Sequence, residues 1–235
     1  MAETNAANRA GMAAVRSATD DTAFTLQSKL LGEARIIFDV GGHLGQTSER
    51  YAQMFPEAEI HYFEPQEKAR QQAREKLSDA NVIINDCALA ATPGEAKFNI
   101  NAFAATSSLQ DTHPNAGENW PAVALRRREE ILVPVSTVDA YCRDHDIAAI
   151  DILKIDVQGH EYRVLQGAAE MLGKHAIQLI YFEYIHCETY VAQTDLTQYF
   201  SLLDGFGYQL VSIFNLVQGE QGLNQCDILF QCGRR

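Results

Sequence analysis

The sequence predicts an α/β fold in which a mostly parallel sheet carries helices on both faces. Three observations lead there. The run from Ile36 to Glu64 reads as strand, glycine turn, helix, strand. Short apolar runs suited to buried parallel strands recur at Asn81–Asn85, Ile150–Asp156 and Ile177–Tyr184, with helical stretches between them. A chain of 235 residues with 46% hydrophobic content supports one sizeable core better than two small ones. The expected division is an N-terminal arm and helix over residues 1–33 and one domain over 34–235.

In chain order, Met1 to about Thr22 is rich in Ala, Asn and Thr and lacks an apolar signal core. It reads as an arm that is mobile, covers the active site as a helix, or reaches a second subunit of a homo-oligomer. Phe24–Leu31 is a weakly amphipathic helix ended by Gly32. Ile36–Phe38 is the first strand, and Asp39–Gly45 is a turn with three glycines. Gln46–Phe55 is helical and Pro56 stops it. Ile60–Phe63 is the second strand, ended by Glu64-Pro65. A strand–helix–strand unit of this length crosses over right-handed and builds a parallel pair. Gln66–Leu77 is a polar helix of good helix formers. Asn81–Asn85 is the third strand.

The middle of the chain is less regular. Glu95–Asn101 alternates enough for an extra strand. Phe103–Pro121 reads as loop, the heart of an insertion spanning about 102–130, and a stretch of that length is usually functional or disordered. Ile131–Val135 is a short edge strand or bulge, because Pro134 cannot donate in a ladder. Ser136 or Thr137 caps a helix through Asp144. Ile150–Asp156 is the fourth strand, Gly159 permits a tight exit, and His160–Leu172 is one amphipathic helix. Ile177–Tyr184 is the fifth strand and Leu196–Leu203 a helix. Tyr208–Phe214 and Asp227–Gln231 are the last strands, antiparallel neighbours joined by a Gly- and Gln-rich loop. The sum is a Rossmann-like, seven-stranded, mostly parallel sheet whose last strand is antiparallel.

Composition restricts the partners. A formal net charge of -12 and a pI near 5.0 repel phosphate backbones, which disfavours a nucleic-acid substrate. Arg126-Arg127-Arg128 is followed at once by Glu129-Glu130 and reads as a solvated helix face. The cysteines are Cys87, Cys142, Cys187, Cys226 and Cys232, odd in number and without a C-x-x-C pair. They indicate structural thiols in a reducing, cytoplasmic compartment and disfavour zinc. No stretch is long and apolar enough to span a bilayer.

The glycine turn has the chemistry of a nucleoside site. Glycines permit positive φ and close backbone approach, and a helix N-terminus follows with free N–H groups. An acid at the end of the next strand can take both ribose hydroxyls, and Glu64 stands there. The order is D-x-G-G-x-x-G rather than the dinucleotide G-x-G-x-x-G. The anion of Asp39 ahead of the first glycine disfavours a pyrophosphate and suits a ligand bearing an ammonium and a sulfonium, S-adenosylmethionine. Asp86, at the carboxyl end of the third strand, either accepts from the adenine amine or caps the following turn.

Asp39 to Thr47 (DVGGHLGQT) with Phe63-Glu64-Pro65, together with Leu153 to Glu161 (LKIDVQGHE), resembles the FkbM family of S-adenosylmethionine-dependent methyltransferases. The resemblance runs from about Arg35 to Tyr184. Carried onto this chain, it implies a cofactor held by Asp39, Gly41, Gly42, His43, Gly45 and Thr47 on the first turn. Glu64 and Pro65 follow the second strand, and Asp86, Cys87 and Ala88 the third. It also implies an acceptor-facing segment at Thr106-Ser107-Ser108-Leu109, with Ser107 and Ser108 toward the substrate. The acceptor it implies is a hydroxyl on a sugar, a polysaccharide unit or a polyketide-like metabolite. Two rivals stand beside it: an NAD(P)-dependent oxidoreductase using the same turn, and a non-catalytic cofactor-binding protein.

An alcohol acceptor must lose its proton, which calls for a base or a metal. Asp156 lies near the end of the fourth strand, where it can face the methyl donor. Lys154 shares its strand face and, if buried, needs a carboxylate such as Asp156 or Glu183. His160 has the intrinsic pKa of a base, or simply sits at a helix start where the dipole disfavours its cation. Glu161 is an N-terminal helix acid or a substrate ligand, and Glu183 points toward the acceptor side. A divalent metal on Asp156 and Glu183, with His160 or His186, has suitable donors but no spacing motif. His43, where the family usually has asparagine, lies close to the cofactor. His113 and His186 are weaker base candidates. His61 and His175 read as structural. Trp120 either stacks on a sugar or pins its loop to the core.

Overall fold

A computed structural model describes residues 22–220 and 222–233. The arm expected over Met1 to about Thr22 lies, but for its last residue, outside the described residues. The described chain opens with helix α1 (residues 22–31), followed by β1 (Ile36–Val40), α2 (Gln46–Met54), β2 (Glu59–Phe63), α3 (Glu67–Lys76) and β3 (Val82–Asn85). Next come β4 (Ala88–Leu89), β5 (Gly94–Asn101), two single 3-10 turns, α4 (Ala122–Leu125), β6 (Arg127–Ser136) and α5 (Val138–Asp144). The chain continues through β7 (Ile150–Ile155), α6 (Glu161–Gln166), α7 (Ala169–Gly173), β8 (Ile177–Ile185) and α8 (Leu196–Gly205). It ends in the hairpin β9 (Tyr208–Gly219) and β10 (Gly222–Cys232).

The main sheet has seven strands in the order β3-β2-β1-β7-β8-β10-β9. β10 runs antiparallel to both neighbours, while the pairs from β3 to β8 are parallel. Neighbouring residues on a strand point to opposite faces, so the register sorts the core into two layers. Ile37, Ile152 and Leu179 align on one face and pack with Phe24, Tyr51 and Phe55. Phe38, Leu153 and Ile180 align on the other and pack with Val138, Val164 and Leu203. No helix among the described residues is long and apolar enough to cross a membrane. All five cysteines are free thiols.

Four expectations are corrected. The strand at Ile131–Val135 is the centre of a ten-residue strand that takes in Arg127 and Arg128, so this basic run does not form a helix face. It pairs with β5 and β4 in a separate three-stranded sheet, whose buried side chains include Phe98, Val133 and Val135. The helix expected over His160–Leu172 is broken into α6 and α7 at Gly167, where an added Cβ would fall on the Ala90 carbonyl. The last two strands extend much further than their apolar cores. Their pairing continues out to Gly219 and Gly222, so the Gly- and Gln-rich loop is mostly ladder.

Candidate active site

The carboxyl ends of β1, β2, β7 and β8 gather the loops that carry chemistry. The first turn is built for packing. Gly41 has φ +78°, and a Cβ there would fall on the backbone carbonyl of Asp156. A Cβ on Gly42 would strike the Tyr62 ring. The N–H groups of Gly41 and Gly42 donate to the Phe63 carbonyl at 3.0 and 3.1 Å, and the Asp156 N–H donates to the Val40 carbonyl at 2.9 Å. The turn therefore sits against the ends of β2 and β7.

Asp39 is fully buried beneath this turn. Its Oδ1 lies 2.8 Å from Lys154 Nζ, and its Oδ2 accepts from the Ser48 hydroxyl at 2.7 Å. Asp39 lines neither of the two cavities described below, where the sequence had placed it among the cofactor residues. The pair also corrects the expected partner of Lys154. The cause is register: Asp39 and Lys154 stand opposite each other on β1 and β7, so both side chains leave the same face. Lys154 also donates to the Gly41 carbonyl at 3.0 Å. Burial works against its charge, yet Asp39, Asp156 and Glu183 hold its ammonium above the usual lysine value.

A cavity of about 390 Å³ opens beside the turn, within the size range of cofactor sites. Gly41, Gly42, His43, Thr47, Glu64 and Pro65 line one side. Cys87, Ala88, Leu89, Phe98 and Ser107 line the other. Glu64 is buried, and its carboxylate accepts from the N–H groups of His43 at 3.1 Å and Gln66 at 2.8 Å. Burial raises its carboxyl, while those N–H groups and Lys154 oppose the rise. Burial lowers the His43 imidazole, against the pull of Asp156. Two expected cofactor residues stand elsewhere. Asp86 is exposed, and the wall passes to Cys87 and Ala88. Gly45 caps α2 with its Cα toward Ala73 and Leu77.

A second cavity of about 780 Å³ meets the first at Thr47, Ala105, Lys154, Asp156 and Gln158. Its other polar lining includes Glu183, Asp227, Asn215 and Gln225, and its walls include Trp120 and Tyr181. Gln225 Nε2 donates to Glu183 Oε1 at 2.7 Å, and Asn215 Nδ2 and the Tyr181 hydroxyl donate to Asp227 Oδ2 at 2.6 and 2.7 Å. Sequence reasoning missed Asn215, Gln225 and Asp227. The available signal was the pair Gln225 and Asp227, two apart in an apolar strand. Trp120 lines this cavity and donates to Thr189 Oγ1 at 2.7 Å, a contact that anchors its loop.

Three substrate or catalytic expectations are corrected. Ser108 is buried; its hydroxyl donates to the Gln158 carbonyl at 2.7 Å and accepts from the Gln110 N–H at 3.0 Å, so it fastens the Thr106–Leu109 segment to the loop after β7. Ser107 lines the smaller cavity, with its Oγ accepting from the Asn101 N–H at 3.1 Å. Glu161 is buried, and its Oε1 accepts from the N–H groups of Val157 and Gly159 at 2.9 and 3.2 Å, so it caps its own loop. Burial and then Asp156 push its carboxyl up to about 7. His160 lines neither cavity, its Nδ1 has no partner among the described residues, and burial pushes it down to about 4. Among the described residues, no group of three or more His, Cys, Asp or Glu side chains is placed to hold a metal ion.

A seven-stranded sheet of this order, with a cavity of cofactor size beside the end of β1, is the Rossmann-like fold found in S-adenosylmethionine-dependent methyltransferases. Residues 39–210 match the methyltransferase FkbM domain, and the chain belongs to that family. It is 27% identical over 188 residues to the 2-O-methyltransferase NoeI of Sinorhizobium fredii, covering 76% of this chain and 74% of that one. Solved structures share the fold. An rRNA methylase from Streptococcus thermophilus aligns with TM-score 0.53 at 10% identity, over 92% of this chain and 97% of its own. Magnesium protoporphyrin IX methyltransferase from Synechocystis PCC 6803, with bound S-adenosylmethionine, aligns with TM-score 0.52 at 12% identity, over 92% and 78%.

Proposed function

We propose that this methyltransferase moves the methyl group of S-adenosylmethionine to a hydroxyl oxygen of a sugar, a polysaccharide unit or a polyketide-like small molecule. The observation that carries the proposal is the meeting of the two cavities at Asp156. The residues present suit the cofactor. Glu64 sets a carboxyl group beside a cavity whose lining also holds Leu89 and Phe98, a diol acceptor together with an apolar surface for a base. Bound there, the cofactor supplies a methyl group activated by positive charge on sulfur.

The chain's own residues then orient and deprotonate the acceptor. The larger cavity offers carboxylates and carboxamides, which match the alternating donors and acceptors of a polyol, and the faces of Trp120 and Tyr181 for its ring carbons. Asp156 accepts the hydroxyl proton as the oxygen–methyl bond forms and the sulfur–methyl bond breaks, its electron pair remaining on sulfur. The relative's name as a 2-O-methyltransferase supports oxygen as the acceptor atom. The net charge of -12 supports a small or glycan acceptor over a nucleic acid. The test is a labelled-methyl screen over glycan and polyketide alcohols, with and without EDTA. Label in a hydroxyl acceptor is expected, and transfer confined to nitrogen or carbon acceptors refutes the reading.

A further inference from the structure

We infer that Gln158 is the positioning residue of the reaction, its carboxamide filling the place between Asp156 and Glu183 that a divalent cation would need. This rests on Asp156 as proton acceptor. Gln158 Nε2 donates to Asp156 Oδ1 at 2.8 Å and to Glu183 Oε2 at 2.6 Å, so each of its two hydrogens has a carboxylate. The two carboxylates fix the orientation of the amide, and its Oε1 lies 3.1 Å from the Tyr190 hydroxyl.

The backbone is arranged for this. Gln158 has φ +57°, a left-handed conformation that a non-glycine residue adopts at a cost. Its carbonyl accepts from Ser108 at 2.7 Å, and the Tyr190 hydroxyl lies 2.9 Å from the Thr106 carbonyl. Both Thr106 and Ser108 belong to the Thr106–Leu109 segment. A Cβ on Gly159 would meet the Tyr190 ring at 2.8 Å, so the loop and the ring are in close contact. Gln158 thus ties Asp156, Glu183 of the larger cavity and this segment together.

Each carboxylate accepts one N–H of the amide, a charge-assisted hydrogen bond made without a metal. The other titratable groups facing Asp156 are Lys154 on its own strand, His43 on the first turn, Glu161 after its loop and Tyr190. A cation on Asp156 and Glu183 must first displace the amide. Replacing the amide by a carboxylate of the same length reverses the preference, because three carboxylates then face one point.

The test uses the full chain and Mn²⁺ as the probe, by calorimetry and electron paramagnetic resonance. The unsubstituted protein is expected to show no saturable binding up to about 1 mM, and Gln158→Glu to bind one Mn²⁺ at about 100 µM or tighter. Saturable binding to the unsubstituted protein that Asp156→Asn abolishes overturns the inference, as does a Gln158→Glu protein that takes no Mn²⁺. A second arm follows turnover with the hydroxyl acceptor found in the screen. In Gln158→Glu, and in Gln158→Met, which keeps the length and removes both donors, the acidic limb of the kcat profile is expected about one pH unit higher. KM should change less than kcat. An unmoved profile overturns the inference. If no hydroxyl acceptor accepts label, the proposed function fails, and the Mn²⁺ titration still decides on Gln158.

Discussion

Asp39 and Lys154 form a buried ion pair of 2.8 Å between directly opposed residues of β1 and β7. The two residues come from the two stretches that resemble the family, 115 positions apart in the chain, and the sheet places them side by side. The pair supports the first turn through Lys154 and the Gly41 carbonyl, and Lys154 itself lines both cavities.

Breaking this pair leaves an uncompensated buried charge. Lys154→Met and Asp39→Asn are each expected to lower stability by about 3–5 kcal/mol, measured by urea denaturation. The double substitution should cost clearly less than the sum. Strict additivity would show that the two groups are not coupled.

Glu64 is expected to hold the ribose hydroxyls. Losing charge-assisted hydrogen bonds costs about 1.5–3 kcal/mol, so Glu64→Ala should bind S-adenosylhomocysteine about ten- to a hundredfold more weakly by calorimetry. Unchanged affinity would remove the ribose assignment.

Asp156→Asn should retain much of the cofactor binding and lose turnover about 10²–10⁴-fold in the labelled-methyl assay. A fully active variant would place proton removal on another group.

His160 and Glu161 are adjacent and titrate with opposite effects on stability. Glu161, raised to about 7, favours folding most below its unfolded pKa, and that contribution is lost as pH rises toward 7. His160, lowered to about 4, favours folding above its unfolded pKa, and that contribution is lost as pH falls toward 4. Between about pH 5 and 6 the two slopes, each at most about 1.4 kcal/mol per pH unit, oppose one another. Glu161→Gln should therefore become less stable as pH falls through this window, and His160→Gln less stable as it rises. Thermal midpoints across that range in both variants check the signs; parallel curves would refute the assignment.

Alternation and punctuation made most of the main sheet readable. Ile36–Phe38, Ile150–Asp156 and Ile177–Tyr184 are apolar runs that only a sheet covered on both faces can bury. The β9–β10 hairpin was less legible, because its outer half carries polar residues such as Asn215, Gln218 and Gln225 and is held by ladder hydrogen bonds. Gly167 read as part of a helix; the Ala90 carbonyl that accounts for a glycine there belongs to a distant segment.

Local chemistry in the sequence determined the class of protein: a glycine turn after a buried strand, an acid after the next, and a second motif that narrowed the family. Tertiary structure alone decided what each charged group does. Strand register paired Asp39 with Lys154 and kept Asp39 off the linings of both cavities. Backbone direction turned Glu161 onto its own loop and left His160 outside both cavities. The packing of the last hairpin brought Asn215, Gln225 and Asp227 to the larger cavity. The reason is physical: a residue type limits which hydrogen bonds a group can make, whereas its partner depends on where distant strands set their side chains.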